Sequence, residues 1–182
     1  TVHLANRLLT LARTGHGMEA AEMQSLSLTR LARQVCVELA LPAVRKHIDL
    51  ALDAEDDVMI FGQELLIHEM LSNLLDNAIR YTPLHGHIQF RVQVQNHCAL
   101  LEIEDSGPGI PEADLPRVFE PFYRATTTSA DNPGGTGLGL CIVRDIVALH
   151  QGQIALQNLA SENAAETVLS GLRVSILIPC PA

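Results

Sequence analysis

The sequence predicts an α/β (α+β) two-layer sandwich, a mixed and mostly antiparallel sheet covered on one face by helices, over residues 26–182. Three observations carry this. Segments 63–81 and 138–150 repeat apolar residues at helical spacing. IQFRVQV (88–94) and LLEIE (100–104) alternate at a period of two on either side of Asn96-His97, a hairpin turn. Helical and strand patterns are interleaved along the chain, with no internal repeat.

Each element follows in order. Residues 1–14, TVHLANRLLTLART, place Leu4, Leu8 and Leu11 on one helical face, and so short a helix needs a partner. Residues 15–25 read as a linker. Residues 28–47 form a second helical pattern through Leu31, Val35 and Leu39, interrupted at Pro42. IDLAL and DVMIF are strand candidates split by the acidic turn DAEDD. The 63–81 helix carries the stripe Ile67, Met70, Leu71, Leu74, Leu75, Ala78 and Ile79, and Pro83 closes it. After the hairpin a long loop runs from about 105 to 136. The 138–150 helix buries Leu138, Ile142, Val143, Ile146 and Val147, with Gly152 placed as its C-terminal cap. Strands at 153–158 and 172–178 finish the chain.

Composition narrows the function classes. Of 182 residues 47% are hydrophobic and 18% charged, which favours a packed domain over disorder. A net charge of −9 with no block of basic residues argues against a nucleic-acid surface. Cys36, Cys98, Cys141 and Cys180 have no metal or redox spacing, so unpaired thiols are expected, with Cys141 in a packing role. No apolar run reaches the roughly 20 residues that span a bilayer. The chain begins inside a helical pattern, and a fragment of a longer protein is expected.

Three motifs carry chemistry. On the 63–81 helix, Glu69, Asn73, Asn77 and Arg80 line up on the side away from the apolar stripe. Asparagine disfavours helix interiors, so two of them one turn apart suggest a neutral oxygen ligand for Mg²⁺, or else an ordinary wet face. EDSGPGIP (104–111) ends a strand in Asp105, which could accept a hydrogen bond from an exocyclic amine. Gly107 and Gly109 would let a flat ring approach; the same letters also make a simple turn. GGTGLGL (134–140) opens a helix, where free amides and the helix dipole favour an anion. It has neither the lysine of a P-loop nor the preceding strand of a dinucleotide loop, and a flexible linker is the other reading. His85 and His87 lie in a turn without further ligands, and HEMLS lacks the second histidine of a zinc motif.

Together and in this order the motifs resemble the ATP-binding catalytic domain of two-component sensor histidine kinases, within the GHKL (Bergerat-fold) ATPases and kinases. HEMLSNLLDNAIRYTP resembles the N box, EDSGPGIP the G1 box, VFEPFYRA the F box and GGTGLGLCIVRDIVALHQGQI the G2 box. The resemblance implies ATP and Mg²⁺ as cofactors, with Asn77 on the metal and Asn73 beside the triphosphate. Arg80, standing where the family usually has lysine, would meet phosphate. Tyr81 would lie along the adenine and Asp105 accept its amino group, with Gly107, Gly109 and Ile110 shaping the base pocket. Residues 119–136 would form a mobile ATP lid, anchored by Phe119 and Phe122, with Arg124 reaching the γ-phosphate. Gly135, Thr136, Gly137, Leu138 and Gly139 would line the phosphates.

Relatives that hydrolyse ATP, or phosphorylate serine, carry glutamate four residues before the magnesium asparagine. Here Asn73 occupies that place. Water and serine need a general base; a neutral imidazole does not. Transfer to histidine is therefore expected, with a GHKL ATPase, an anti-sigma-like serine kinase or a non-catalytic nucleotide-binding domain as alternatives. His3, followed by LAN, is no phosphoacceptor box. Residues 1–14 instead resemble the end of the second dimerisation helix. The implied partners are the protein's own dimerisation domain, a second copy in the full-length kinase, and a response regulator. The implied setting is the cytoplasmic side of a bacterial inner-membrane sensor.

Overall fold

The computed structural model describes residues 23–125, 136–160 and 169–181. The dimerisation-like segment 1–14, most of the linker and the lid residues 126–135, Gly135 included, lie outside the described residues.

Strand β1 (Gln24–Ser27) leads directly into helix α1 (Leu28–Glu38), because Ser27 caps the helix by accepting the Arg30 N–H at 3.2 Å. The single helix expected over 28–47 is two. It breaks at Leu39, and α2 (Ala40–Arg45) restarts so that Pro42 falls in a first turn, where a missing N–H costs nothing. Strand β2 (Asp49–Ala54) and β3 (Met59–Gly62) follow, then α3 (Glu64–Tyr81), β4 (His87–Gln95), β5 (Cys98–Asp105), α4 (Gly139–Leu149), β6 (Gln153–Ala160) and β7 (Leu169–Pro179).

The main sheet has the order β2-β4-β5-β7-β6, with only β2 and β4 parallel. That is the expected mixed, mostly antiparallel sheet, but the DVMIF strand is not in it. Met59–Gly62 pairs instead with Gln24–Ser27 in a separate antiparallel ribbon, so Gln24 and Ser25 belong to a strand and not to the linker. Asn96 and His97 both take positive φ, 50° and 62°, which matches a two-residue hairpin turn to the twist of its strands.

Alternation decides which sheet face meets the helices. Ile88, Phe90 and Val92 of β4, Leu101 and Ile103 of β5, and Val174, Ile176 and Ile178 of β7 are buried, as are Ile67, Met70, Leu71, Leu74 and Leu75 of α3. The opposite face is polar: Arg91 reaches Glu104 at 3.0 Å and Arg173 reaches the same carboxylate at 2.7 Å.

Helix α4 ends differently from expectation. His150 closes it, Gln151 takes the left-handed turn at φ 55°, and the Gly152 and Gln151 amides bond back to Val147 and Ala148. Gly152 is required for another reason: a Cβ there would stand 2.6 Å from the Leu177 carbonyl. His150 ties both site helices together. Its Nδ1–H donates to Ile146 O at 2.7 Å, and its Nε2 accepts the amide of Gln63, the residue before α3, at 3.1 Å. Burial holds this imidazole below its usual pKa, in the neutral form the two bonds require.

Candidate active site

The site is built where α3, the end of β5 and the start of α4 converge. In β5, residues Ala99, Leu101 and Ile103 point into the core, and the same period of two carries Asp105 inward. Only 7% of Asp105 is exposed, and desolvation pushes its carboxyl up from 3.8 to about 6. The backbone N–H of Gly107 donates to its Oδ1 at 2.8 Å and partly offsets that cost. Any side chain at Gly107 would collide with this oxygen at 2.7 Å.

Asp105 lies in an apolar chamber that opens to solvent, a concave site with a buried polar group fixed in its wall. Leu74, Ala78, Ile103, Ile110 and Val174 form its walls, with Tyr81 and Gly109 at the edge. Asp105 is the one carboxylate on this wall among the described residues. Ile110 is fixed through its main chain: the Asn158 side chain on β6 accepts its N–H at 2.8 Å and donates to its carbonyl at 2.6 Å.

A second chamber adjoins the first and shares Asn77, Tyr81, Val118, Tyr123, Arg124 and Leu140 with it. Its lining is polar, from Asp76, Arg80, Thr136, Gly137 and Gly139. Helix α4 begins here with no side chain capping its first amides. Gly139 packs onto the asparagines of α3, its absent Cβ being 3.3 Å from Asn77 Nδ2 and 3.4 Å from Asn73 Oδ1.

That contact corrects the expectation of a face turned away from the core. Asn73 is 2% exposed because α4 crosses over it. Its Nδ2 donates to the Glu69 carbonyl at 2.8 Å and to Glu69 Oε1 at 2.9 Å, leaving Oδ1 buried with no partner among the described residues. An orphaned buried amide oxygen next to the Asn77 amide fits a hard cation or an ordered water.

Other expected residues take different places. Phe122, expected as a lid anchor, is 68% exposed and lines neither chamber. The residue sits at φ 64°, held by its N–H to the Gly137 carbonyl at 2.9 Å, and this pins the two ends of the lid together. Gly137, at φ 71°, admits no Cβ against the Phe122 backbone 2.6 Å away. Leu138 is fully buried in the core and lines neither chamber. Phe119 is half-buried and also absent from the walls, where Val118 and Tyr123 stand instead. The Tyr123 hydroxyl donates to Asp114 at 2.7 Å and its ring lies under the Arg117 guanidinium, 4.3 Å away. Asp76 pairs with Arg80 at 3.0 Å, an i,i+4 spacing legible in the sequence. Asn158 is 48 residues from Ile110, and no local pattern signals it.

An apolar chamber with a buried acceptor, opening into a chamber with two arginines and a helix start that no described side chain caps, suits a flat amine-bearing ring joined to an anion. That defines an ATP-binding domain. Residues 62–182 match the family described as "Histidine kinase-, DNA gyrase B-, and HSP90-like ATPase", and the chain belongs to it. The chain is 39% identical over 153 residues to the sensor protein kinase PmrB of Pseudomonas aeruginosa, covering 84% of this chain and 31% of that protein. It is 36% identical over 168 residues to the sensor protein QseC of Salmonella typhimurium, covering 92% of this chain and 36% of that protein. The chain thus spans about a third of the length of these curated relatives. Among solved structures, the catalytic domain of histidine kinase ThkA superposes with a TM-score of 0.73 at 29% identity, covering 87% of this chain and 95% of that one. The mycobacterial sensor histidine kinase MprB gives 0.72 at 26% identity, covering 88% and 99%. The fold is that of histidine kinase catalytic domains. No described helix is long and apolar enough to cross a membrane.

Proposed function

We propose that this chain is the catalytic part of a two-component sensor histidine kinase, which binds Mg-ATP and passes the γ-phosphoryl group to a histidine of its dimerisation domain. A response-regulator aspartate then receives the phosphate. The parent protein works as a homodimer, with this domain on the cytoplasmic side of a bacterial inner membrane. The names of the relatives support this setting.

In this reading the adenine enters the apolar chamber with its amino group on Asp105 and its ring along Tyr81, between Gly109 and Ile110. Gly107 holds the carboxylate in position through its amide. The phosphates lie in the polar chamber, where Arg80, Arg124, Thr136 and the amides of Gly137 and Gly139 balance their charge, with Gly135 on the adjoining lid. Asn77, with Asn73 beside it, would hold Mg²⁺, which when bound neutralises phosphate charge and orients the transferable group.

The observation that carries histidine as acceptor is that, among the described residues, the carboxylate lining the polar chamber, Asp76, is held by Arg80 at 3.0 Å and no other stands beside Asn77 there. Asn73 is an amide, and the nearby Glu69 carboxylate is tied to its Nδ2 and lines neither chamber. A neutral imidazole attacks without a base, whereas water or serine does not. The test supplies the parent kinase's own dimerisation domain as a separate chain, together with γ-labelled ATP. Acid-labile label on that domain, none on this chain, and near-background hydrolysis are expected. Fast hydrolysis without labelling would overturn the proposal in favour of an ATPase.

A further inference from the structure

The last turn of α3 carries Asn77, Arg80 and Tyr81 into the cleft, yet it ends without the usual means of closing a helix. Pro83 follows, and Thr82 is extended at φ −64° and ψ 130°. The Ile79 carbonyl would normally accept from residue 83, but proline has no N–H to give. Only the Ala78 carbonyl is satisfied by the chain ahead, from the Thr82 amide at 2.9 Å.

Lys46, at the end of α2, supplies what is missing. Its Nζ donates to Ile79 O at 2.8 Å, to Arg80 O at 2.9 Å and to Thr82 O. Three ammonium protons meet three carbonyls, so its hydrogen-bonding capacity is fully used. A cation at a helix C-terminus also meets the negative end of the dipole. The main chain of Lys46 adds a fourth tie, its carbonyl accepting the His85 N–H at 3.0 Å across the same turn. Burial and the neighbouring Arg80 charge both lower the Lys46 pKa, a cost the three carbonyls offset.

We propose that Lys46 is a positioning residue for nucleotide binding: by gathering the carbonyls at the end of α3 it holds Arg80 and Tyr81 where they line the cleft. This rests on the nucleotide reading above. Lys46 lines neither chamber itself and acts wholly through the helix end.

The test titrates the 182-residue chain with Mg²⁺ and a non-hydrolysable ATP analogue, well below its melting temperature. Lys46→Met is expected to weaken binding about tenfold, and Lys46→Arg, which keeps charge and donors, to bind within about threefold of wild type. Should Lys46→Met not fold, Lys46→Gln carries the test with a loss of about threefold. A second readout uses the chain's two tyrosines and lack of tryptophan. In a Tyr123→Phe background Tyr81 is the only emitter, and its fluorescence anisotropy should fall when Lys46 is replaced. A folded Lys46→Met or Lys46→Gln chain with wild-type affinity, an arginine variant no better than methionine, or unchanged Tyr81 anisotropy would overturn the inference alone. A wild-type chain that binds no nucleotide would remove the reading on which it rests.

Discussion

Asp105→Asn separates what the site costs from what it does. The wild-type carboxyl titrates at about 6 in the folded protein against 3.8 when unfolded. Its folded pKa is raised, so its favourable contribution is present below 3.8 and is lost as pH rises through about 6. Above that point the folded state holds a buried carboxylate at a cost of about 3 kcal/mol. Asparagine removes the charge while keeping one oxygen for the Gly107 or Leu172 amide, so about 1 kcal/mol of hydrogen bonding is lost. The variant should therefore be about 2 kcal/mol more stable than wild type at pH 8. At pH 4 the electrostatic gain shrinks to about 0.5 kcal/mol, and the variant should be equal or slightly less stable. Urea denaturation of both chains across this range measures the difference directly. Parallel stability curves, or a variant less stable at pH 8, would refute the claim that the fold holds Asp105 as a buried, desolvated carboxylate.

Asn73→Ala should change the stability of the ligand-free domain by less than about 1 kcal/mol, because losing the bonds to Glu69 is offset by removing an orphaned oxygen. The same variant should lose about tenfold or more in Mg-nucleotide affinity, read by competition with a fluorescent analogue. Gly171→Ala places a Cβ 1.9 Å from the Asp105 carbonyl at φ 153°, so β7 must shift from β5 and about 3 kcal/mol or more should be lost in urea. A loss below about 1 kcal/mol would show that this strand pair yields easily.

What could be read from sequence followed the range of the interactions. The sandwich, the hairpin and the two site helices rest on periods of two and 3.6, which are local. The inward turn of Asp105 continued the alternation of its own strand and was legible for that reason. The small ribbon was not, because the pairing of Gln24–Ser27 with Met59–Gly62 depends on tertiary contact and β1 is too short to show a period. The burial of Asn73 depends on α4 lying across it, a fact of packing that made a solvent-facing row look equally good. Phe122 and Leu138 were placed at the site by motif position, yet backbone geometry turns one outward and core packing claims the other. Lys46 and Asn158 act on main-chain atoms distant in sequence, and their letters carry no sign of it.

Calorimetric titration of a non-hydrolysable ATP analogue, with and without Mg²⁺, tests the central claim most directly when wild type, Asn77→Ala and Asp105→Ala are compared. Wild type should bind with Mg²⁺ enhancing affinity, Asn77→Ala should lose the enhancement, and Asp105→Ala should bind weakly in either condition. No binding by wild type, or binding indifferent to both substitutions, would contradict the assignment of the two chambers to adenine and phosphate.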